Sequence, residues 1–96
     1  MTKEAEVENY LVWCVERDGG KAYKFASPGQ RGVADRIVCL PGGKVVMVEL
    51  KTQTGRLSPL QKVFADNMRH LGVPYECLWT KEQVNDFISR VSAASV

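Results

Sequence analysis

Two periods alternate along this chain. From Glu4 to Asp18, Val7, Leu11, Cys14 and Val15 recur at helical spacing, and Gly19-Gly20 supplies a stop, which predicts a first helix. KAYKFAS, residues 21–27, alternates and predicts a short strand, and the SPGQRG segment that overlaps its end is turn chemistry. VADRIVCL (33–40) and KVVMVELK (44–51) then flank Pro41-Gly42-Gly43, the pattern of a β-hairpin. After the loop TQTGRL, Ser58 and Pro59 have the chemistry of an N-cap and a first helical position. Leu60, Val63, Phe64, Met68 and Leu71 predict the buried stripe of a second helix, which Gly72 ends. VPYECLW (73–79) reads as a further strand, weakened at its start by Pro74. Thr80 and Gln83 form a capping box for a last helix carrying Val84, Phe87, Ile88 and Val91. The predicted order is αβββαβα, an α/β fold with a mixed sheet flanked by helices.

VVMVELK (45–51) is the informative stretch. Alternation puts Val45, Met47, Glu49 and Lys51 on one face and Val46, Val48 and Leu50 on the other, so both faces are apolar until Glu49. A strand apolar on both sides is expected to be central and covered, and a carboxylate there requires partners. A three-residue turn centred on Gly42 sets Asp35 opposite Glu49, with Cβ atoms about 4.5 to 5.5 Å apart. Like charges at that distance need something positive between them: Lys51, or a divalent cation held by both carboxylates. A bulge at the turn would shift this register by one. An ordinary cross-strand ion pair at the sheet margin accounts for the same three residues without any chemistry. Glu4 and Glu8, one turn apart on the first helix, add acid on the side of Leu11 and Val15, or are simply solvated charges favoured by the helix dipole.

Ninety-six residues fit one domain, 1–96, with little room for a second core. No run approaches the length of a membrane span, and the acidic start MTKEAEVENY lacks the basic and then apolar character of a secretory signal, so a cytoplasmic protein is expected. Cys14, Cys39 and Cys77 are odd in number, widely spaced and set among apolar neighbours, as expected of reduced core thiols. A net charge of +2 does not by itself point to nucleic acid. Basic residues do concentrate in the first two-thirds of the chain, where Arg31, Arg36 and Arg56 are candidates for phosphate contact, together with Lys62 and the Ser27 to Gly32 loop including Gln30. Each is also satisfied as a solvated charge. Trp13, Trp79 and Phe64 are expected in the core, and His70 as a surface or helix-end histidine.

Asp35 followed by Glu49-Leu50-Lys51 resembles the D…(D/E)xK signature of the nuclease superfamily that includes many restriction enzymes and archaeal junction resolvases. With EAEVENYL (4–11), SPGQRGVADRIV (27–38) and GRLSPLQ (55–61), the chain resembles the VRR-NUC family, especially its stand-alone phage and bacterial members, over nearly its whole length. The resemblance implies a restriction-endonuclease-like αβββαβα core with the active site on the central hairpin. It also implies Asp35, Glu49 and the Leu50 backbone carbonyl as metal ligands, Lys51 as the catalytic lysine and Gln61 as the glutamine opening the following helix. The first-helix acid maps to Glu4, with Glu8 at a position where Gln or Glu is frequent. Ala34 departs from the commoner proline, and Leu50 from the commoner valine.

Carboxylates with no His or Cys cluster favour Mg2+ or Mn2+ over zinc. The resemblance implies metal-dependent hydrolysis of DNA phosphodiester bonds, with four-way junctions the favoured substrate because small stand-alone relatives resemble junction resolvases. Paired cutting of a junction needs two active sites, which implies a homodimer. Competing readings are a non-catalytic branched-DNA-binding module on the same fold, or a flap or restriction-type nuclease.

Overall fold

The computed structural model describes residues 3–93. Its elements run α1 (Glu4–Arg17), β1 (Lys21–Lys24), β2 (Arg36–Leu40), β3 (Lys44–Leu50), α2 (Pro59–His70), β4 (Tyr75–Leu78) and α3 (Lys81–Ala93), the predicted αβββαβα order. The four strands form one sheet in the order β1-β2-β3-β4, antiparallel except for the β3–β4 pair, which α2 connects in parallel. Among the described residues no helix is long and apolar enough to cross a membrane.

Local chemistry explains the boundaries. Gly42 and Gly43 take φ of 87° and 76° in the hairpin turn, a region that side chains with a Cβ avoid. The turn introduces no slip: Arg36 pairs with Val48 and Leu40 with Lys44, the register centred on Gly42. In α2, Ser58 Oγ accepts from the Gln61 backbone N–H at 3.2 Å, while Gln61 Oε1 accepts from the Ser58 N–H at 2.8 Å. Thr80 and Gln83 make the same reciprocal pair ahead of α3.

Alternation along β3 divides the core. Val46, Val48 and Leu50 pack with Val7, Leu11, Val84 and Phe87 beneath α1 and α3, while Met47 faces the other way, toward Phe64, Ala65 and Tyr75 under α2. The first cluster is the larger, and Val7, Leu11, Val48, Val84 and Phe87 are wholly buried in it.

Coverage of the α2 face is thinner than the sequence suggests. Val45 is 42% exposed, so β3 is not covered on both sides along its whole length. The predicted stripe of α2 is largely outside: Leu60, Val63 and Leu71 are exposed, Met68 is half-buried, and only Phe64 and Ala65 are buried. One short helix cannot shield a four-stranded face. Trp13 is likewise not a core residue. It lies on the surface of α1, stacked on Tyr10 at 6.1 Å with the Arg17 guanidinium 5.2 Å from its ring centre. All three cysteines are free thiols, but only Cys14 is fully buried. The first three strands are shorter than their apolar runs, and Phe25 and Asp35 extend the β1–β2 ladder by one further bond, Phe25 N–H to Asp35 carbonyl at 3.0 Å.

Candidate active site

Asp35 immediately precedes β2, and the β2–β3 register continued by one residue sets it opposite Glu49. The Leu50 backbone N–H donates to Asp35 Oδ2 at 2.9 Å, which binds the carboxylate to the neighbouring strand. Glu49 is the buried charged residue here, 2% exposed and flanked in the sheet by Asp35 on one side and Cys77 on the other. Lys51 Nζ lies 3.6 Å from Glu49 Oε2, and the Lys51 backbone N–H donates to the Leu78 carbonyl at 3.0 Å, so β4 fixes the end of the strand that carries the ammonium.

Gln61 completes the group. Its Oε1 is held by the Ser58 N–H, which turns the amide so that Nε2 donates to Glu49 Oε2 at 3.1 Å. The helix cap thereby selects which end of the amide faces the carboxylate. Glu49 Oε2 thus has Gln61 and Lys51, whereas Oε1 is buried with no protein partner. Burial first, and then the Asp35 carboxylate, push Glu49 up to about 7, against the opposing pull of Lys51. Burial, followed by the charge of Glu49, also raises the Cys77 thiol to about 11, so this cysteine stays protonated and unreactive at neutral pH.

A hard divalent cation fits these groups. An uncommitted carboxylate oxygen, facing a second carboxylate and penalised when charged, is what such an ion neutralises. No cluster of three or more His, Cys, Asp or Glu side chains suited to a metal occurs among the described residues, so Asp35 and Glu49 would need oxygens from the backbone or the substrate.

The first-helix acids stand apart. Arg36 shares the face of Val48, beneath α1, and its Nε donates to Glu8 Oε2 at 2.7 Å while Nη1 donates to the Ala22 carbonyl at 2.9 Å. Glu8 is therefore tied to Arg36 on the face opposite Glu49. Glu4 is exposed in the first turn of α1. Arg36, with a side chain 13% exposed, is committed inside the protein and does not present a free guanidinium to a ligand. Arg31, Arg56, Lys62 and Gln30 are exposed, and Ser27 is half-buried. Their loop is placed by Gly32, with φ of 84°, where a Cβ would stand 2.6 Å from the Leu60 backbone; the loop lies directly on the first turn of α2, beside Gln61. Sequence reasoning missed the task of Trp79, whose Nε1 donates to the Gly55 carbonyl at 2.9 Å and pins the loop after Lys51. An indole bond to a loop carbonyl has no signal in the sequence.

No family model matches the chain. Over 61 residues, 64% of this chain, it is 48% identical to protein p44 of Acyrthosiphon pisum secondary endosymbiont phage 1, a protein named as a candidate nuclease. The match spans 66% of that relative, just under two thirds of its length. A solved VRR_NUC domain superposes with a TM-score of 0.86 over 93% of this chain and 97% of its own, at 29% identity. Agreement of sequence with the phage protein and of the whole fold with the solved domain supports a VRR-NUC family nuclease.

Proposed function

We propose that residues 1–96 form a single metal-dependent nuclease domain that hydrolyses phosphodiester bonds in branched DNA, four-way junctions foremost. The observation that carries this reading is the buried Glu49 carboxylate, with Oε1 unpartnered, beside Asp35 and within reach of Lys51 and Gln61. Asp35, Glu49 and the Leu50 backbone carbonyl would hold Mg2+ or Mn2+, which when bound supplies Lewis-acid stabilisation of the phosphate and a more acidic water. Lys51 contributes a compact positive charge that orients the attacking water or neutralises a phosphate oxygen. Gln61 holds the Glu49 carboxylate in place and stands at the positive end of α2, where a phosphate is favoured. The exposed Arg31, Arg56 and Lys62, with Gln30 and Ser27, would contact the DNA backbone on either side. Glu4, exposed at the mouth of α1, and Glu8, through Arg36, serve the site from a distance on this reading. The site acts as one half of a homodimer in the cytoplasm of a bacterial or phage-infected cell.

The test is cleavage of a labelled four-way junction, with flap and linear duplex controls, in Mg2+ and in Mn2+. Paired cuts that Lys51→Ala and Asp35→Asn each reduce at least about 100-fold are expected. Tight junction binding without cleavage in either metal would favour a binding module instead. Sedimentation giving a strict monomer at micromolar concentration would refute the paired-cut arrangement.

A further inference from the structure

Two buried side-chain atoms lack a hydrogen-bond partner among the described residues: Glu49 Oε1 and the Tyr75 hydroxyl. Buried orphans in a native protein call for an explanation. These two are neighbours. In the parallel β3–β4 ladder Met47 pairs with Tyr75 and Glu49 with Cys77, so Tyr75 and Glu49 stand diagonally on the α2 face. Both are more than nine-tenths buried, at 8% and 2% exposure. The Tyr75 ring is confined by the edge of Phe64, 6.1 Å between centroids, and by the Arg69 guanidinium 5.4 Å from its centre, so the place of the hydroxyl is fixed. Burial raises the phenol well above its ordinary range, and the Glu49 carboxylate is the next largest cause, ahead of Cys77 and Asp35.

We propose that Tyr75 is a positioning residue for Glu49: its hydroxyl and Glu49 Oε1 share one buried water, which fixes the plane of the carboxylate. Two buried, unpartnered polar atoms set diagonally on adjacent strands are what such a water would link. A phenol donates to the water, the water donates to Oε1, and Oε1 keeps a second lone pair for a cation. Lys51 and Gln61 hold Oε2, so the water-linked phenol gives the other oxygen a support of its own. Tyr75 lies on β4, outside every segment that carries the family resemblance, and nothing in its apolar surroundings marks it in the sequence. The inference rests on Glu49 being the acid of the nuclease site.

The experiment pairs a high-resolution crystal structure of the metal-free protein with Mn2+ titration followed by electron paramagnetic resonance, for the wild type, Tyr75→Phe and Met47→Leu. A water within hydrogen-bond distance of both oxygens is expected. Tyr75→Phe should bind Mn2+ roughly tenfold more weakly, as when the outer support of a metal ligand is removed. Met47→Leu, which alters packing beside the ring but no polar atom, should leave affinity unchanged. Equal Mn2+ affinity in Tyr75→Phe and wild type overturns the positioning role, whether or not the water is seen. Wild-type protein that binds no Mn2+ defeats the metal-site reading itself, an outcome distinct from a selective failure at Tyr75, and absence of the water in the crystal then removes the link as well.

Discussion

Replacing Glu49 by Gln should stabilise the metal-free protein at alkaline pH, although it deletes a residue of the candidate active site. In the unfolded chain this carboxyl releases its proton near 4.5, in the folded protein near 7, because burial and Asp35 penalise the charged form. Between those values the folded state binds more protons than the unfolded one, so stability falls as pH rises through the window, and the penalty is complete above about 7. Two and a half pH units correspond to about 3 kcal/mol as an upper bound, at about 1.4 kcal/mol per unit. Glutamine keeps an oxygen for the Gln61 amide, 3.1 Å away in the wild type, and gives up the Lys51 contact, so a net gain of about 1 to 2 kcal/mol is expected. Urea denaturation with chelator at pH 8.5 and pH 4.5 measures it. Glu49→Gln should have the higher midpoint at pH 8.5, and the advantage should vanish at pH 4.5. Saturating Mn2+ should restore the wild type toward the variant and leave the variant unmoved. A variant less stable than wild type at pH 8.5, or a difference that does not change with pH, would refute the argument that Glu49 carries an uncompensated charge.

Other consequences follow from the same geometry. Glu8→Gln keeps an acceptor for Arg36 Nε and should lower cleavage by less than about threefold, whereas Arg36→Ala strands a half-buried carboxylate and should cost about 2 to 4 kcal/mol in denaturant; loss of all cleavage in Glu8→Gln with folding intact would mean that Glu8 joins the metal site. Gly32→Ala forces a side chain into φ of 84° and against the Leu60 backbone at 2.6 Å, so it should cost at least about 1 to 3 kcal/mol and expose the loop to protease, and unchanged stability would show that the loop does not seat on α2. Phe87→Ala, in the wholly buried centre of the α1–α3 layer, should cost about 3 to 5 kcal/mol by urea denaturation while leaving Mn2+ affinity of the remaining folded protein unchanged.

The hairpin, the caps and the order of elements were legible because they are decided within a few residues. Gly42-Gly43 admits the turn, and once the turn is centred there the two-residue period of the flanking strands sets Asp35 opposite Glu49 with no freedom left. Ser58 with Gln61, and Thr80 with Gln83, satisfy the free N–H groups of their own helices by chemistry that any sequence with that spacing carries. The buried stripes of α1 and α3 were readable for a different reason: the face of the sheet they lie against is covered well enough to bury them.

What the sequence alone left open depends on which surfaces meet. Leu60, Val63 and Leu71 have the spacing of a buried stripe, yet exposure is decided by the layer opposite, and α2 lies over a sheet face it only partly covers. Glu8 and Arg36 look like candidates for a reaction and for DNA until the pleat places them on the α1 face, bonded to each other, with Glu49 on the opposite side of the sheet. Nor does a sequence reveal that Glu49 has one oxygen supported and one unpartnered. That follows from a glutamine turned by its own helix cap and a lysine held by a neighbouring strand, residues that converge on one carboxylate only because the chain returns to it three times. Sequence thus determined the elements and the pairing of the two carboxylates, since both are set by short-range periodicity; tertiary structure decided burial, charge state and partners, since these depend on the dielectric surroundings and contacts that distant segments create.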